Sequence, residues 1–584
     1  MKNRSARTRA GLVLGVVILT AAVLAAMLAQ GAGAKQGPAV AVAKSASHSC
    51  LVLTGSGDPA FVRNFNPYTA TTLPSGDFVK GAFYEPLVIA TAAGGGHLYP
   101  WLAQSWKWSN GGKTLTLAIV PGVKWSDGQP LTAADVVYSL TAGKQNKVAD
   151  LIGLYRAGTN IASIKQKGLY GVAINLKTPD SQFVASQLNA QMVVPKHIFS
   201  KVADLSTWTN PNPVGSGPFT KITRFTTQDY VLSKNPHYWL AGAPKISCVE
   251  YVQATSNDAA LALIQSGQVD WTHNFVPNVE TAYEAKDPAH FHAFYATTAY
   301  PQSLMFDDTV YPYSLVALRQ AMSMAINRQQ VSKLGEYGYA PPTDAIGLNG
   351  IFPSWVTDKT VKAQAKALAT YNPTAAKKLL TDNGFTYKGN SLIDPKGNPV
   401  AFQIHVISGW SDWVASLQII TTNLQAVGIN ATVKLEPDWN SWYPNASSTK
   451  TPTLLWQGAS QGSPYAYFYA NMDQNAYIPS GQDGTPTGNW EHYQDPSATS
   501  ILAKWKATLD PKKQQAYATQ LESLWLKQLP IIPLFIGPRW STYSTKYFHC
   551  FTSPKNFYGD PIFTQFPDNV LSFTRICPGG AAGQ

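Results

Sequence analysis

"PGVKWSDGQPLTAADVVYSL", residues 121–140, reads as a strand end, a tight turn and a capped helix in immediate succession. The stretch just before it, "KTLTLAIV" (113–120), places Leu115, Leu117 and Ile119 on one face of a strand and Thr114, Thr116 and Ala118 on the other. That period of two predicts a strand with one buried face. Asp127-Gly128 supplies the turn, and Pro130 stops further strand pairing. Thr132 stands where an N-cap should, with Asp135 three residues on as a variant of the capping box. The helix that follows is expected to bury Val136, Val137 and Leu140. Nothing here pairs a nucleophile with a base, so the phrase is scaffold, and its fold class is α/β.

The same grammar recurs along the chain. "CLVLTG" (50–55) and "KISCVEYVQA" (245–254) read as strands, the second alternating Ile246, Cys248 and Glu250 against Ser247, Val249 and Tyr251. Helical periodicity marks "YSLVALRQAMSMAINRQQVSKL" (313–334), "NPTAAKKLLTDNGF" (372–385) and "DWVASLQIITTNLQAVGI" (412–429). In the second, Asn372 is the N-cap, Pro373 the first helical residue and Gly384 the stop. Strands "AFQIHVIS" and "ATVKLEP" flank the third, giving strand, helix, strand.

With 584 residues, 45% of them apolar and 13% charged, the chain can bury a large core in several units. The N-terminus is a secretory pattern: Lys2, Arg4, Arg7 and Arg9, then "GLVLGVVILTAAVLAAMLA" (11–29), then small residues at Ala32-Gly33-Ala34. Residues 1–34 are expected to be a signal peptide and 35–49 a flexible leader; an uncleaved membrane anchor is the alternative. Removing those four basic residues lowers the formal charge of +12 by four, and no Lys/Arg block remains, which argues against a nucleic-acid surface. The four cysteines, Cys50, Cys248, Cys550 and Cys577, have no C-x-x-C spacing. In an exported protein they are two disulfides or four buried thiols.

A search for catalytic motifs finds little. "NGGKT" (110–114) lacks the first glycine of a phosphate loop and is a hairpin turn; "GSGPF" (215–219) is a glycine turn without a nucleophile elbow. His290 and His292 have no third metal ligand beside them. No metal, cofactor or catalytic residue is expected. The 17 Trp and 28 Tyr instead suit a chain that holds a ligand with flat apolar faces.

Residues 100–140, "PWLAQSWKWSNGGKTLTLAIVPGVKWSDGQPLTAADVVYSL", resemble the central motif of the family 5 extracellular solute-binding proteins, the peptide and nickel type that serve ABC importers. Further matches follow in family order: "NFNPY", "YEPLV", "GSGPFTKITRFTTQDYVLSKNPHYW", "IQSGQVDW", "LRQAMSMAINRQQV", "YNPTAAKKLLTDNGF", "LQAVGINATVKLEPDWNSW" and "LPIIPLFIGPRW". The resemblance implies a two-lobed periplasmic-binding-protein fold (type II) hinged between its lobes. Lobe one would span 50–300 with an extra subdomain at about 87–205, lobe two 301–533, and residues 534–584 would return to lobe one. The lobes would close on a solute and present it to the permease subunits of the transporter. It also implies pairing of Cys50 with Cys248 in one sheet and of Cys550 with Cys577 in the returning segment.

The ligand is where the sequence departs from the dipeptide-binding members. "WQGASQGSPYAYF" (456–468) carries Ala459 where those members have an acid, and "ISGWSDW" (407–413) offers Gly409, Trp410 and Asp412 where they have a base. A charged peptide terminus buried without a partner costs several kcal/mol, which disfavours a dipeptide. A longer peptide held by its backbone, or a neutral oligosaccharide, escapes that cost, and "GSPYAYF" and "NWEHY" resemble the β-oligosaccharide branch of the family. The residues expected to touch ligand are Trp410, Trp413, Trp456, Gln457, Tyr465, Tyr467, Asn489 and Trp490. Competing readings are a secreted carbohydrate-active enzyme and a ligand-binding sensor without a transporter.

Overall fold

The computed structural model describes residues 48–69, 74–91, 97–155, 159–297, 301–456, 464–484 and 487–579; the signal and all but the last two residues of the leader lie outside these. Three sheets organise them. The first has seven strands in the order Phe291–Ala293, Thr542–Ser544, Trp271–Thr272, Leu51–Thr54, Cys248–Val252, Asp229–Lys234 and Phe219–Phe225. Leu51–Thr54 lies at its centre and runs parallel to both neighbours. The second sheet has five strands, Asn430–Glu436, Ala401–Ile407, Thr453–Trp456, Pro301–Met305 and Ile532–Ile536. Here too a parallel strand, Ala401–Ile407, lies between parallel partners. A four-stranded antiparallel sheet, Ala103–Ser109, Thr114–Ile119, Gly171–Leu176 and Ile161–Lys167, forms the subdomain.

Each sheet has its own core. Leu51, Phe65, Tyr251, Trp271 and Phe563 pack in the first lobe, Leu304, Leu318, Ile404, Leu417 and Trp525 in the second, and Leu115, Trp125, Val136 and Leu571 in the subdomain. The opening phrase belongs to the subdomain. Leu115, Leu117 and Ile119 are buried in strict alternation with half-buried neighbours. Thr132 and Asp135 cap the helix Ala133–Thr141 reciprocally, the Thr132 N–H donating to Asp135 at 2.9 Å. Val136 and Leu140 are buried, but Val137 is only half-buried, because the helix rests on the sheet by a narrower stripe. Ser126 N–H reaches the Gly215 carbonyl at 2.9 Å, which ties the turn to the glycine turn of "GSGPF".

Two expected elements differ. Cys248–Val252 is buried on both faces instead of alternating, since it is an inner strand covered on either side. The helical stretch at 313–334 is broken: Val316–Ala325 ends, and Asn327 caps a new turn by accepting from Gln330 N–H. The break turns Arg328 inward, where its guanidinium donates to the carbonyls of Ser323 (2.7 Å), Pro533 (2.9 Å) and Ala369 (3.1 Å). Those three acceptors lie on separate segments of lobe two, so one side chain ties them together.

The chain leaves the first sheet after Ala293 and enters the second at Pro301; it returns between Ile536 and Thr542. The second sheet thus extends to Ile536, past the expected boundary at 533, because Ile532–Ile536 pairs along Pro301–Met305. The two crossing segments are bridged to each other at Ala296 and Arg539. Cys50 is bonded to Cys248 with Cα atoms 4.6 Å apart, and Cys550 to Cys577 at 5.7 Å. The first bridge links parallel neighbours; the second closes a short loop on the C-terminal segment.

Replacing Cys550 and Cys577 together by Ser opens a loop with a sequence separation of 27, which should cost about 3.5 kcal/mol on the chain-entropy account. A urea melt of the double variant checks it. A second expectation concerns Glu85, fully buried and accepting from Trp101 Nε1 (2.8 Å), Tyr238 OH (2.8 Å) and Trp239 Nε1 (3.2 Å). Burial pushes its carboxyl up to about 7, against the pull of those donors. A carboxyl that holds its proton longer when folded makes the folded state bind more protons, so stability falls as pH rises from the unfolded value towards 7. Melting temperature should decline over that window, and Glu85→Gln should flatten the decline.

Candidate functional site

The two inner parallel strands point their carboxyl ends at each other. Leu51–Thr54 runs into Gly55-Ser56-Gly57, and Ala401–Ile407 runs into Ser408-Gly409-Trp410. Crevices at the carboxyl ends of such strands are where open α/β sheets hold ligands. The contact is close. Trp410 Nε1 donates to the Ser56 carbonyl at 3.0 Å, and Asn257 N–H donates to the Gly409 carbonyl at 3.0 Å. Asn257 Nδ2 also reaches Ser411 Oγ and Asp412 Oδ1, each at 3.1 Å. Glycine is required on both sides. Gly57 has φ +80°, and a Cβ there would stand 2.7 Å from Trp410 Nε1; a Cβ on Gly409 would stand 2.4 Å from the Thr255 carbonyl.

Aromatic rings extend from this contact. Trp410 is half-buried and edge-on to Trp413 (5.0 Å) and Trp442 (5.4 Å). The helix Trp439–Ala446 adds Trp439, which stacks on Tyr443 at 4.8 Å, and Tyr443 meets Trp490 at 5.8 Å. At the crossing segments a second group forms: Trp540 is edge-on to Tyr295 (4.8 Å) and to Phe275 (5.2 Å). Tyr339 packs on Tyr295 at 5.2 Å and spans the lobes, donating from its hydroxyl to Glu280 at 2.7 Å.

The residues singled out from sequence fall into three groups. Trp410 and Tyr465 stand at surfaces between lobe two and the rest. Trp413, Tyr467, Asn489 and Trp490 are taken up by the protein itself. Trp413 is 5% exposed and Tyr467 2%, the latter donating to the Ile346 carbonyl at 2.8 Å and packing on Trp525. Asn489 has no exposure: Nδ2 donates to the carbonyls of Ala470 (2.9 Å) and Tyr493 (2.8 Å), and Oδ1 accepts from Ile478 N–H. Its amide has its partners within lobe two, so it is a brace. Trp490 is buried in the lobe-two core. Trp456 ends the strand Thr453–Trp456, but its side chain, like all of Gln457, lies outside the described residues. Sequence reading passed over Trp439, Tyr443, Tyr295 and Trp540. The first two carried a signal, since "DWNSWY" spaces its rings by three and four; the last two are joined only by the fold.

Charge is arranged around the crevice with internal partners. Asp412 accepts from Asn257 and from the Trp540 indole, and burial pushes its carboxyl up. Glu336 beside it is fully buried and pushed up further by burial and by Asp412. Arg539 pairs with Asp560 at 2.8 Å. On the flank, between the subdomain and lobe two, lies a cavity of about 280 Å³. Asp180, Gln187, Tyr465, Tyr469 and Lys506 are among its walls. Ser181 N–H donates to the Lys506 carbonyl at 2.8 Å, joining subdomain to lobe there. Among the described residues no three His, Cys, Asp or Glu side chains gather as metal ligands.

Residues 97–478 match the middle region of the bacterial extracellular solute-binding proteins, family 5. Escherichia coli periplasmic oligopeptide-binding protein OppA is 24% identical over 504 residues, covering 81% of this chain and 85% of its own. A Thermotoga maritima periplasmic oligopeptide-binding protein, crystallised with mannohexaose, is similar in structure with a TM-score of 0.79 at 23% identity, covering 91% of this chain and 99% of that one. Bacillus subtilis AppA, in complex with a nonapeptide, gives a TM-score of 0.71 at 20% identity over 91% and 98%. The structural likenesses carry the two-lobed fold and the family match spans more than half of the sequence, so this chain belongs to the family 5 bacterial extracellular solute-binding proteins.

Proposed function

We propose that this protein is the exported, solute-capturing component of an ABC importer, and that the solute is an oligosaccharide held between the lobes along its uncharged length. One observation carries the ligand class. Trp410, Trp439 and Tyr443 form one run of rings on lobe two and Trp540 and Tyr295 another at the crossing segments, and the charges beside them, Asp412 and Arg539, already have partners within the protein, Asp412 accepting from the Trp540 indole. Indole and phenol faces suit the C–H faces of sugar rings, and they gain by shedding water against them. The mannohexaose found in the Thermotoga protein supports this reading. An oligopeptide is the second reading, supported by the names of OppA and AppA and by Asp180 and Lys506 lining one cavity. Residues 1–34 would direct export and be removed, and permease subunits would receive the closed form. The ligand would be released unchanged.

A thermal-shift panel of neutral oligosaccharides and oligopeptides tests the class: stabilisation that grows with ligand concentration marks the ligand. Peptides alone raising the melting temperature would overturn the sugar reading, and a cleaved ligand recovered by chromatography would overturn release unchanged. Trp410→Ala should weaken the ligand found by about 1–3 kcal/mol, the loss expected of an aromatic anchor. Gly57→Ala should open the lobes, because the new Cβ meets Trp410 Nε1 at 2.7 Å; a larger radius of gyration by X-ray scattering would show it.

A further inference from the structure

Two buried carboxyl groups share the contact between the lobes. Asp412 and Ser416 stand four apart on the helix Ser411–Gln425 and so lie on one face of it. Ser416 Oγ donates to Glu336 Oε1 at 2.7 Å, which sets Glu336 beside Asp412. Glu336 Oε2 is buried and has no hydrogen-bond partner among the described residues. Two donors to Asp412 come from outside lobe two, Asn257 Nδ2 of lobe one at 3.1 Å and the Trp540 indole of the crossing segment. The residues that follow Glu336 dock on lobe one as well: Tyr337 packs on Phe275 at 5.6 Å, and the Tyr339 hydroxyl accepts from Val279 N–H at 3.0 Å. The cations on the surrounding elements are Lys333, which is exposed, Arg539, paired with Asp560, and His405, paired with Glu436. The other acids there are Asp258, which is exposed, Glu280, which accepts from the Tyr339 hydroxyl, and Asp58 on the loop beneath Trp410.

We propose that closing the lobes takes up a proton, held by Glu336 beside Asp412, so that this protein closes more readily in acid than in base. Two carboxylates side by side out of water repel, and loss of hydration adds to the cost of each. Asn257 and the Trp540 indole hydrogen-bond the Asp412 anion, so the proton belongs on Glu336, whose unpartnered Oε2 can carry it. Burial pushes Glu336 well above the usual carboxylate range, with Asp412 adding to the push, and burial pushes Asp412 up to about 6. Above that value the closed form still keeps one proton on the pair. In the open form water reaches both groups and both are ionised. The closed form therefore binds one proton more, and closure weakens as pH rises, by about tenfold per pH unit. The device acts on the hinge and holds for whichever solute is captured.

The test is X-ray scattering of the ligand-free protein from about pH 6 to about pH 8, with circular dichroism to show that its secondary structure stays constant. The radius of gyration of the wild type should increase with pH as the ratio of closed to open molecules drops about tenfold per pH unit. Glu336→Gln keeps the shape of the protonated side chain and cannot ionise, so at the alkaline end it should stay as compact as the wild type is at the acid end. If the glutamine variant does not fold, Glu336→Ala is read in its place and should be equally insensitive to pH. Glu85→Gln removes a buried carboxyl from another part of the fold and should leave the wild-type response intact. A wild-type radius of gyration that is constant across the range overturns the proposal, and so does a Glu336→Gln protein that still expands with pH.

Discussion

The distance between the two lobes is fixed where Trp410 lies on the Ser56-Gly57 backbone. Neither glycine of this contact can carry a side chain: Gly57 faces the indole and Gly409 faces the Thr255 carbonyl. Two parallel strands, each inner to its own sheet, thereby bring their carboxyl ends into hydrogen-bond range. The lobes have separate cores and are joined by two chain crossings bridged at Ala296 and Arg539, so relative motion disturbs few buried apolar contacts. A hinge of this sort lets a solute tip the balance by adding contacts only in the closed form.

Much of the scaffold was legible because local rules and burial agree there. The alternation of Leu115, Leu117 and Ile119, the Thr132–Asp135 box and the Asn372 cap all appear where the sequence put them. The helix break before Arg328 was not legible, since two of the three carbonyls that hold its guanidinium, those of Ala369 and Pro533, are supplied from distant segments. Nor was the double burial of Cys248–Val252, which depends on what covers each face of the sheet.

At the candidate site the sequence named residue types but not their surroundings. Aromatic density pointed to a ring-lined crevice, but it could not sort rings that hold a ligand from rings that hold the protein. Tyr465 and Tyr467 show why. Two positions apart on the helix Tyr465–Met472, they are turned about 200° from each other; one lines a cavity and the other bonds the Ile346 carbonyl. Asn489 shows a related ambiguity. A side-chain amide can serve a sugar hydroxyl or a loop carbonyl equally well, and only the positions of Ala470 and Tyr493 decide it.

The absence of the expected anchors at Ala459 and in "ISGWSDW" has a physical counterpart in how this chain uses charge. Asp412 spends its acceptors on Asn257 and Trp540 and so serves lobe contact. A crevice built this way gains little from a charged group at its centre, where desolvation of that group would go unmatched.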